Sequence, residues 1–349
     1  MKRFVRIFVS LAVAAIFVLL PSAPVNAQSN ALSINPRKDY NAKPGDTIND
    51  TITLTNLNKD VPLYLQLKVV DFTSSGETGA PKLIQKSDAP PTAWSLRGML
   101  TVAQQLTIDA AKSATIPISL KVPAKQGAGS YYSAIEYSVV TGGSEKQVTV
   151  AAAGTTLVFL NVPGTAREQL QFVQFGAFVP NKDDTSGAFS GLFVAHKPQI
   201  LAYRLNNQGN IAEVPQGAIT IKDMFGKTYK QINDANPKKQ IVLLGQTRRF
   251  EVCMNPSTQN TNEDGSEVQQ TVCKDPNLKP GRYTAQLSLI YGSNGNETRE
   301  ITAATSFWYL PWWFIVAFLL VLALIIGIVF FIVRKIRDLR DVHSRRGRR

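Results

Sequence analysis

Few residues of the chain have side chains suited to catalysis, and they are far apart. The cysteines are Cys253 and Cys273, and the part predicted below to be exported contains one histidine, His196. A hydrolytic enzyme needs a nucleophile beside a base, paired carboxylates or a metal ion. His196 lies in FVAHKPQ, between a predicted strand and a Lys-Pro pair, which is typical of a surface turn. We therefore predict no catalytic residue and expect that the protein is not an enzyme.

Patterns that bind metal ions are also missing from the sequence. The adjacent acids Asp183-Asp184 and Glu263-Asp264 lie in NKDDTSG and NEDGSE, where calcium would need further oxygen ligands at regular spacing. Two cysteines and one histidine are too few for zinc. We predict solvated loop tips at both acidic pairs, no metal site and no cofactor.

Cys253 and Cys273 are predicted to form a disulfide. An even cysteine count in an exported, oxidising compartment favours pairing. The segment between them, MNPSTQNTNEDGSEVQQTV, is polar. Closing a loop of about 20 residues contributes about 3 kcal/mol in the chain-entropy model, so the bond would hold an otherwise flexible segment.

The amino-terminal residues 1–27 are typical of a secretory signal peptide. Lys2, Arg3 and Arg6 precede an apolar run from Ile7 to Leu20, and small residues follow up to Ala27. The run of about 14 apolar residues is short against the ~20 that cross a bilayer core. Cleavage after Ala27 is therefore favoured over an uncleaved anchor.

Residues 307–333 are predicted to be a transmembrane helix. The sequence from Leu310 to Val333 carries no charge for about 24 residues, enough to cross ~30 Å of hydrocarbon. Aromatic side chains that suit the membrane interface stand at its outer end: Trp308, Tyr309, Trp312 and Trp313. Basic side chains that set the topology stand at its inner end: Arg334, Lys335, Arg337 and Arg340. These features predict a single-pass plasma-membrane protein with an extracellular amino-terminal part and a cytoplasmic tail, residues 334–349.

The formal net charge of +13 comes mainly from the two ends of the chain. The signal segment carries three basic residues, and the tail carries eight basic and two acidic residues. About +4 remains for the exported part, which is too mild for a nucleic-acid-binding surface. The sequence therefore predicts no nucleic-acid partner.

Alternation of polar and apolar residues predicts a β-sandwich in residues 28–163. Asp50 occupies one of the alternate positions of its strand that are otherwise apolar, so we expect it near the solvated end or at a bulge. Pro117 cannot donate to a ladder and predicts an edge strand. The predicted strands are Thr47–Thr55, Val61–Val69, Ser113–Val122, Tyr131–Val139 and Val148–Val162.

A second unit of the same kind is predicted in residues 164–306. Its last strand, in GRYTAQLSLIYG, begins with Gly-x-Tyr as does GSYYSAIEYSVV in the first unit. The sequence thus predicts an internal duplication and an all-β fold of two sandwiches. The predicted strands are Leu170–Val179, Gly191–Ala195, Ile200–Leu205, Gly217–Lys222, Ile241–Leu244 and Tyr283–Tyr291.

Several segments resemble the bacterial WxL-interacting proteins and their peptidoglycan-binding-domain relatives. They are NPRKDYNAKPGDTINDTITLTN, TAWSLRGMLTVAQQLTIDAAKSATIPISLKVPAKQGAGSYYSAIEY and AYRLNNQGNIAEVPQGAITIKDMFGK. The resemblance covers most of the exported part and implies tandem immunoglobulin-like domains that hold another surface protein to the cell wall. The triplet Trp94-Ser95-Leu96 also spells W-x-L, but three residues carry little specificity, and a core-packing role is predicted for Trp94.

Together these features predict a membrane-anchored cell-surface binding or scaffold protein. Its expected partner is a cell-wall glycan or another surface protein, gripped by loops or by strand addition at sheet edges. The alternatives are an accessory subunit of a secretion or surface-assembly complex, and an enzyme that acts on glycan. The sequence indicates neither the ligand-binding residues nor the oligomeric state.

Overall fold

Strands account for most of the chain, as the alternating pattern predicts. The computed structural model describes residues 32–85, 90–143, 147–180, 187–263, 266–292 and 298–346. The signal peptide predicted for residues 1–27 lies outside these ranges. The all-β fold of two sandwiches followed by one apolar helix is confirmed.

The first sandwich packs a four-stranded sheet, in the order β1-β3-β9-β7, on a five-stranded sheet, β2-β11-β10-β4-β8. Strands β2 and β11 pair in parallel, and the other pairs are antiparallel. A separate hairpin, β5–β6, carries the 3-10 turn Gly76–Thr78. The strands are β1 Leu32–Ile34, β2 Arg37–Asn41, β3 Thr47–Asn56, β4 Leu63–Val70, β5 Phe72–Ser75, β6 Ala80–Leu83, β7 Leu100–Val102, β8 Gln105–Ile108, β9 Ser113–Lys121, β10 Gly129–Gly143 and β11 Gln147–Val162.

The second sandwich repeats this plan with sheets β13-β12-β15-β18 and β14-β22-β21-β16-β17. Its parallel pair is β14 with β22. A two-stranded hairpin, β19–β20, follows β18. The strands are β12 Leu170–Pro180, β13 Gly187–Phe189, β14 Phe193–Val194, β15 Ile200–Asn207, β16 Gln216–Lys222, β17 Thr228–Ile232, β18 Thr247–Cys253, β19 Pro256–Glu263, β20 Ser266–Cys273, β21 Gly281–Tyr291 and β22 Arg299–Tyr309.

The two Gly-x-Tyr segments form the same local structure. The hydroxyl of Tyr131 donates to the carbonyl of Gly127 at 2.9 Å, and that of Tyr283 donates to the carbonyl of Lys279 at 3.0 Å. Each hydroxyl therefore fastens the start of its strand to the backbone four residues earlier, as in the tyrosine corner of immunoglobulin-like domains. Together with the matching strand order of the two five-stranded sheets, this supports the predicted duplication.

Asp50 lies in the more solvated half of β3, as expected, opposite Ile118 of β9. Lys38 and Tyr40 donate to its carboxylate at 2.8 and 2.7 Å and satisfy its charge. The expectation for Pro117 is wrong: it is not in an edge strand, because β9 pairs with β3 on one side and with β7 on the other.

The sandwiches meet through a small apolar cluster and several backbone contacts. Trp94 stacks on Tyr132 at a centroid distance of 5.6 Å and packs against this cluster, which joins Phe72 and Phe159 to Leu243 of the second sandwich. The amide of Ser130 donates to the carbonyl of Asn210 at 2.9 Å. Trp94 is thus a packing residue, as predicted, but it packs near the junction of the two sandwiches.

A single long helix, α1, covers Trp312–Arg346. Within it, Trp312–Ile336 is long and apolar enough to cross a membrane. The predicted span began at residue 307, but residues 307–309 belong to β22 because they pair with β21.

A candidate strand-binding cleft

Equivalent strands of the two sandwiches can be matched through their backbone bonds. The amide of Asn56 donates to the carbonyl of Lys112 at 2.9 Å, just before β9, and that of Asn207 donates to the carbonyl of Gln246 at 3.0 Å, just before β18. Strand β9 therefore corresponds to β18, and Pro117 corresponds to Glu251.

The outer edges of these two strands differ. In the first sandwich, β7 pairs with β9 through Leu100↔Leu120 and Val102↔Ile118. In the second sandwich no described strand pairs with the outer edge of β18, which ends its sheet. Within the described part of the second sandwich, no strand therefore lies at the position that β7 fills in the first.

The unfilled position opens onto a cleft of about 700 Å³ between β18 and β17, the edge strand of the opposite sheet. Its apolar lining includes Ile200, Ile232 and Val252. Charged side chains that line it include Lys230, Asp234, Lys238 and Glu251. An apolar floor with a charged rim suits an extended polypeptide that alternates apolar and polar side chains.

The outer edge of β18 presents unused backbone groups to this cleft. The amide of Met254 donates to the carbonyl of Gln199 at 2.9 Å, so Met254 and Val252 direct their backbone groups toward β15. Because successive residues of a strand point their backbone groups to opposite sides, those of Glu251 and Cys253 face the cleft. Neither residue makes a backbone bond on that side among the described residues.

The disulfide predicted between Cys253 and Cys273 is present and lines one end of the cleft. The polar segment between the cysteines, which was expected to be flexible without the bond, forms a hairpin with Pro256 opposite Cys273. Beside it, Lys197 donates to Asp275 at 2.8 Å, and this hydrogen bond lowers the pKa of the Asp275 carboxyl. The disulfide thus joins β18 to β20 at this end of the cleft.

The other predicted site residues lie far along the chain from the cleft. Trp312 and Trp313 are exposed at the start of α1. Tyr309 is only 6% exposed and belongs to the core of the second sandwich. Trp308 is half-buried in β22. Arg334, Lys335, Arg337 and Arg340 all lie within α1, which continues past them.

No group of three or more His, Cys, Asp or Glu side chains suited to a metal ion occurs in the described parts of the chain. His196 is exposed in a bend before β15.

Sequence reasoning did not find the cleft. The signal that could have indicated it is a length difference, because residues 223–246 between β16 and β18 are fewer than residues 71–112 between β4 and β9. The shorter connection contains the strand β17, whereas the longer one contains β5, β6, β7 and β8.

No protein-family model and no curated protein sequence matches the chain. Several solved structures align with most of the chain at low similarity. The class 5 fimbriae chaperone CfaA aligns with a TM-score of 0.33 and 11% identity, covering 80% of this chain and 100% of that one. The Escherichia coli chaperone DraB aligns with a TM-score of 0.32 and 11% identity, covering 78% of this chain and 98% of that one. The structure of the Salmonella enterica SafA pilin in complex with the SafB chaperone aligns with a TM-score of 0.34 and 9% identity, covering 79% of this chain and 96% of that one. Similarity at this level carries no conclusion about this chain.

Proposed function

We propose that this protein is a membrane-anchored binding protein of the cell surface that holds an extended segment of a partner protein by strand addition. The observation that carries the proposal is the unfilled outer edge of β18, at the position where β7 completes the first sandwich. The function is binding without catalysis. An accessory role in assembling a surface structure would use the same cleft and would differ only in the partner.

Strand addition suits this edge for physical reasons. Main-chain groups of the added segment would bond to Glu251 and Cys253, and its alternate side chains would enter the cleft between β17 and β18. An exposed sheet edge with unpaired backbone groups is otherwise an aggregation hazard, and proteins usually cover it. A partner segment would satisfy these groups, just as β7 covers part of the outer edge of β9 in the first sandwich.

The anchor follows from the two ends of the chain. The helix Trp312–Ile336 would span the membrane, and the basic residues at its far end would lie in the cytoplasm. Both sandwiches would then lie outside, as the signal-like residues 1–27 also suggest. The resemblance to WxL-interacting proteins supports a role in retaining another protein at the surface.

The substitution Glu251→Pro tests the proposal because it removes one cleft-facing backbone donor. Pro117 already occupies the equivalent position of β9, so the fold accommodates proline there. Glu251→Gln is the matched control, since it neutralises the side chain and keeps the amide. A photo-crosslinking amino acid is placed at the exposed rim position Gln231 in the full-length chain, expressed in the source cells. The yield of the crosslinked partner is measured.

The expected result is a protein adduct whose yield falls at least fivefold with Glu251→Pro and is unchanged with Glu251→Gln. Peptide mapping should place the adduct in a segment that is extended in the partner. An adduct that persists in Glu251→Pro, or one that carries a wall glycan instead of a protein, would overturn the proposal.

A further inference from the structure

The end of the second sandwich that leads into α1 has an unusual surface. Strand β22 pairs through Tyr309 with Gly281, and α1 begins at Trp312, so only Leu310 and Pro311 lie between the sheet and the helix. Three residue steps span about 11 Å at most. Loops level with Tyr309 therefore lie close to any membrane that α1 crosses. We call this end of the sandwich the anchor-side end.

A tight turn at the anchor-side end displays two large apolar side chains. Asp223 closes the turn by accepting hydrogen bonds from the amides of Phe225 and Lys227 at 3.0 and 2.9 Å. Phe225 is 86% exposed and Met224 is 49% exposed. A methyl group built on Gly281, the partner of Tyr309, would touch the methyl of Met224 at 3.4 Å. The turn thus lies level with the end of β22.

A second apolar pair lies beside the last strand. The amide of Trp308 donates to the carbonyl of Leu192 at 2.7 Å, and Phe193 pairs with Trp308. Leu192 and Phe193 are both more than half exposed. Single exposed apolar residues are ordinary on protein surfaces. Two exposed apolar pairs at the anchor-side end, next to a helix that could span a membrane, are more than this ordinary exposure accounts for.

Positive charge surrounds these apolar side chains. Four exposed basic residues lie in the Asp223–Lys227 turn, in the segment between β20 and β21, and at the start of β21: Lys227, Lys274, Lys279 and Arg282. The acidic groups nearby are already engaged, because Asp275 pairs with Lys197 at 2.8 Å and Asp223 accepts the amides of its own turn. The anchor-side end therefore complements an anionic lipid surface.

We propose that the anchor-side end rests on the bilayer, with Met224, Phe225, Leu192 and Phe193 inserted into the interfacial layer and the four basic residues near lipid phosphates. The inference rests on the proposed membrane anchoring. Apolar side chains gain by leaving water at this depth, and basic side chains can extend to the headgroups. Strand β17 begins directly after the Met224–Phe225 turn, so this contact would hold the strand-binding cleft close to the membrane.

Fluorescence of the full-length chain in vesicles tests the inference. An environment-sensitive dye is placed on Phe225→Cys, with Leu57→Cys as the control, and the vesicles contain phosphatidylcholine with or without phosphatidylglycerol. Leu57 is a matched site because it is also more than half exposed, yet it lies next to the Asn56 end of β3, away from the second sandwich. A third dye position, Leu324→Cys within α1, reports whether the helix is inserted.

The expected result is quenching by spin-labelled lipid at least threefold stronger at position 225 than at position 57. Replacing Lys227 and Lys279 by Gln should reduce it in phosphatidylglycerol vesicles toward the level in pure phosphatidylcholine. If the dye at 324 is quenched by lipid while the dyes at 225 and 57 remain equally accessible to aqueous iodide, the inference is overturned and the anchor stands. If the dye at 324 is also accessible to iodide, both the anchoring and the inference fail.

Discussion

Asn56 and Asn207 are buried at equivalent places in the two sandwiches and bind the backbone in the same way. The amide nitrogen of Asn56 donates to the carbonyls of Val61 and Ile108, and that of Asn207 donates to the carbonyls of Ile211 and Val242. Each side-chain oxygen accepts the amide two residues later. Each sandwich thus has a buried asparagine whose side chain links the end of one strand to two other segments, and we call this arrangement the asparagine brace.

Replacing Asn207 by Ala is expected to lower the free energy of unfolding by about 2–4 kcal/mol. The change removes three hydrogen bonds and leaves the buried carbonyl of Ile211 without this donor, although the carbonyl of Val242 keeps the amide of Glu213. Buried losses of this kind cost more than the loss of an exposed bond. Chemical denaturation of the full-length chain in detergent measures the change. Asn206→Ala is the neighbouring control, because Asn206 is half-buried and donates only to Thr247. Equal losses for the two variants would contradict the role of the asparagine brace.

Glu77 links the two sandwiches by charge. It lies in the 3-10 turn of the first sandwich, and its carboxylate is 2.7 Å from Arg204 and 3.9 Å from Arg249 of the second. The substitution Glu77→Gln leaves two guanidinium groups without this partner, and we expect it to lower the free energy of unfolding by about 1–2 kcal/mol. The loss should shrink in high salt, because salt screens the pair in the unsubstituted chain.

The control for Glu77 is Asp39→Asn, which breaks the exposed pair between Arg37 and Asp39 within the first sandwich. Exposed pairs of this kind contribute little, so a change of about 0.5 kcal/mol or less is expected. Urea denaturation at low and high salt compares the variants. A Glu77→Gln effect as small as that of Asp39→Asn would show that the link does not hold the sandwiches together.

Removing the disulfide by Cys253→Ser and Cys273→Ser together is expected to lower the free energy of unfolding by about 3 kcal/mol. The bond closes a segment with a sequence separation of 20 residues, and its main effect is to restrict the unfolded chain. Thermal unfolding with and without a reducing agent measures the effect. The double variant is its own control, since its melting temperature should not respond to the reducing agent.

Local patterns predicted much of the fold because period-two alternation reports directly which side chains face the core. Ile52 and Leu54 of β3 are almost completely buried, as their parity indicates. The same reasoning was wrong for Ile241–Leu244, where only Val242 forms an isolated bridge, with Glu213. Leu243 is buried in the cluster between the sandwiches, so part of this apolar run reflects the junction rather than a strand.

The candidate cleft could not be predicted from alternation. Its defining feature is a strand that one sandwich has and the other lacks, and β7 has only three residues, too few to show a period. Which strand lies at a sheet edge depends on pairing between distant segments, as the position of Pro117 also shows. The disulfide was predictable from cysteine count and compartment, but not its place beside the cleft.

Glu213 should make the stability of the protein depend on pH near neutrality. Its side chain is 1% exposed, and burial is the main cause that raises the pKa of its carboxyl from 4.5 to about 7; the charge of Glu168 adds to this effect, and the Gly292 amide and Arg299 oppose it. Between pH 4.5 and about 7 the folded chain keeps a proton that the unfolded chain releases. Stability from this group is therefore present below pH 4.5 and is lost as the pH rises to about 7.

A pKa rise of this size corresponds to about 3 kcal/mol across that range. The substitution Glu213→Gln removes the titrating group, so the decrease in stability between pH 5 and pH 7.5 should be smaller by up to about that amount. Urea denaturation at several pH values measures it. Glu300→Gln, at an exposed carboxylate that accepts a bond from Ser288, is the control for the loss of one carboxylate charge at the surface. If the Glu213→Gln variant keeps the full decrease in stability between pH 5 and pH 7.5, a group other than Glu213 causes the pH dependence.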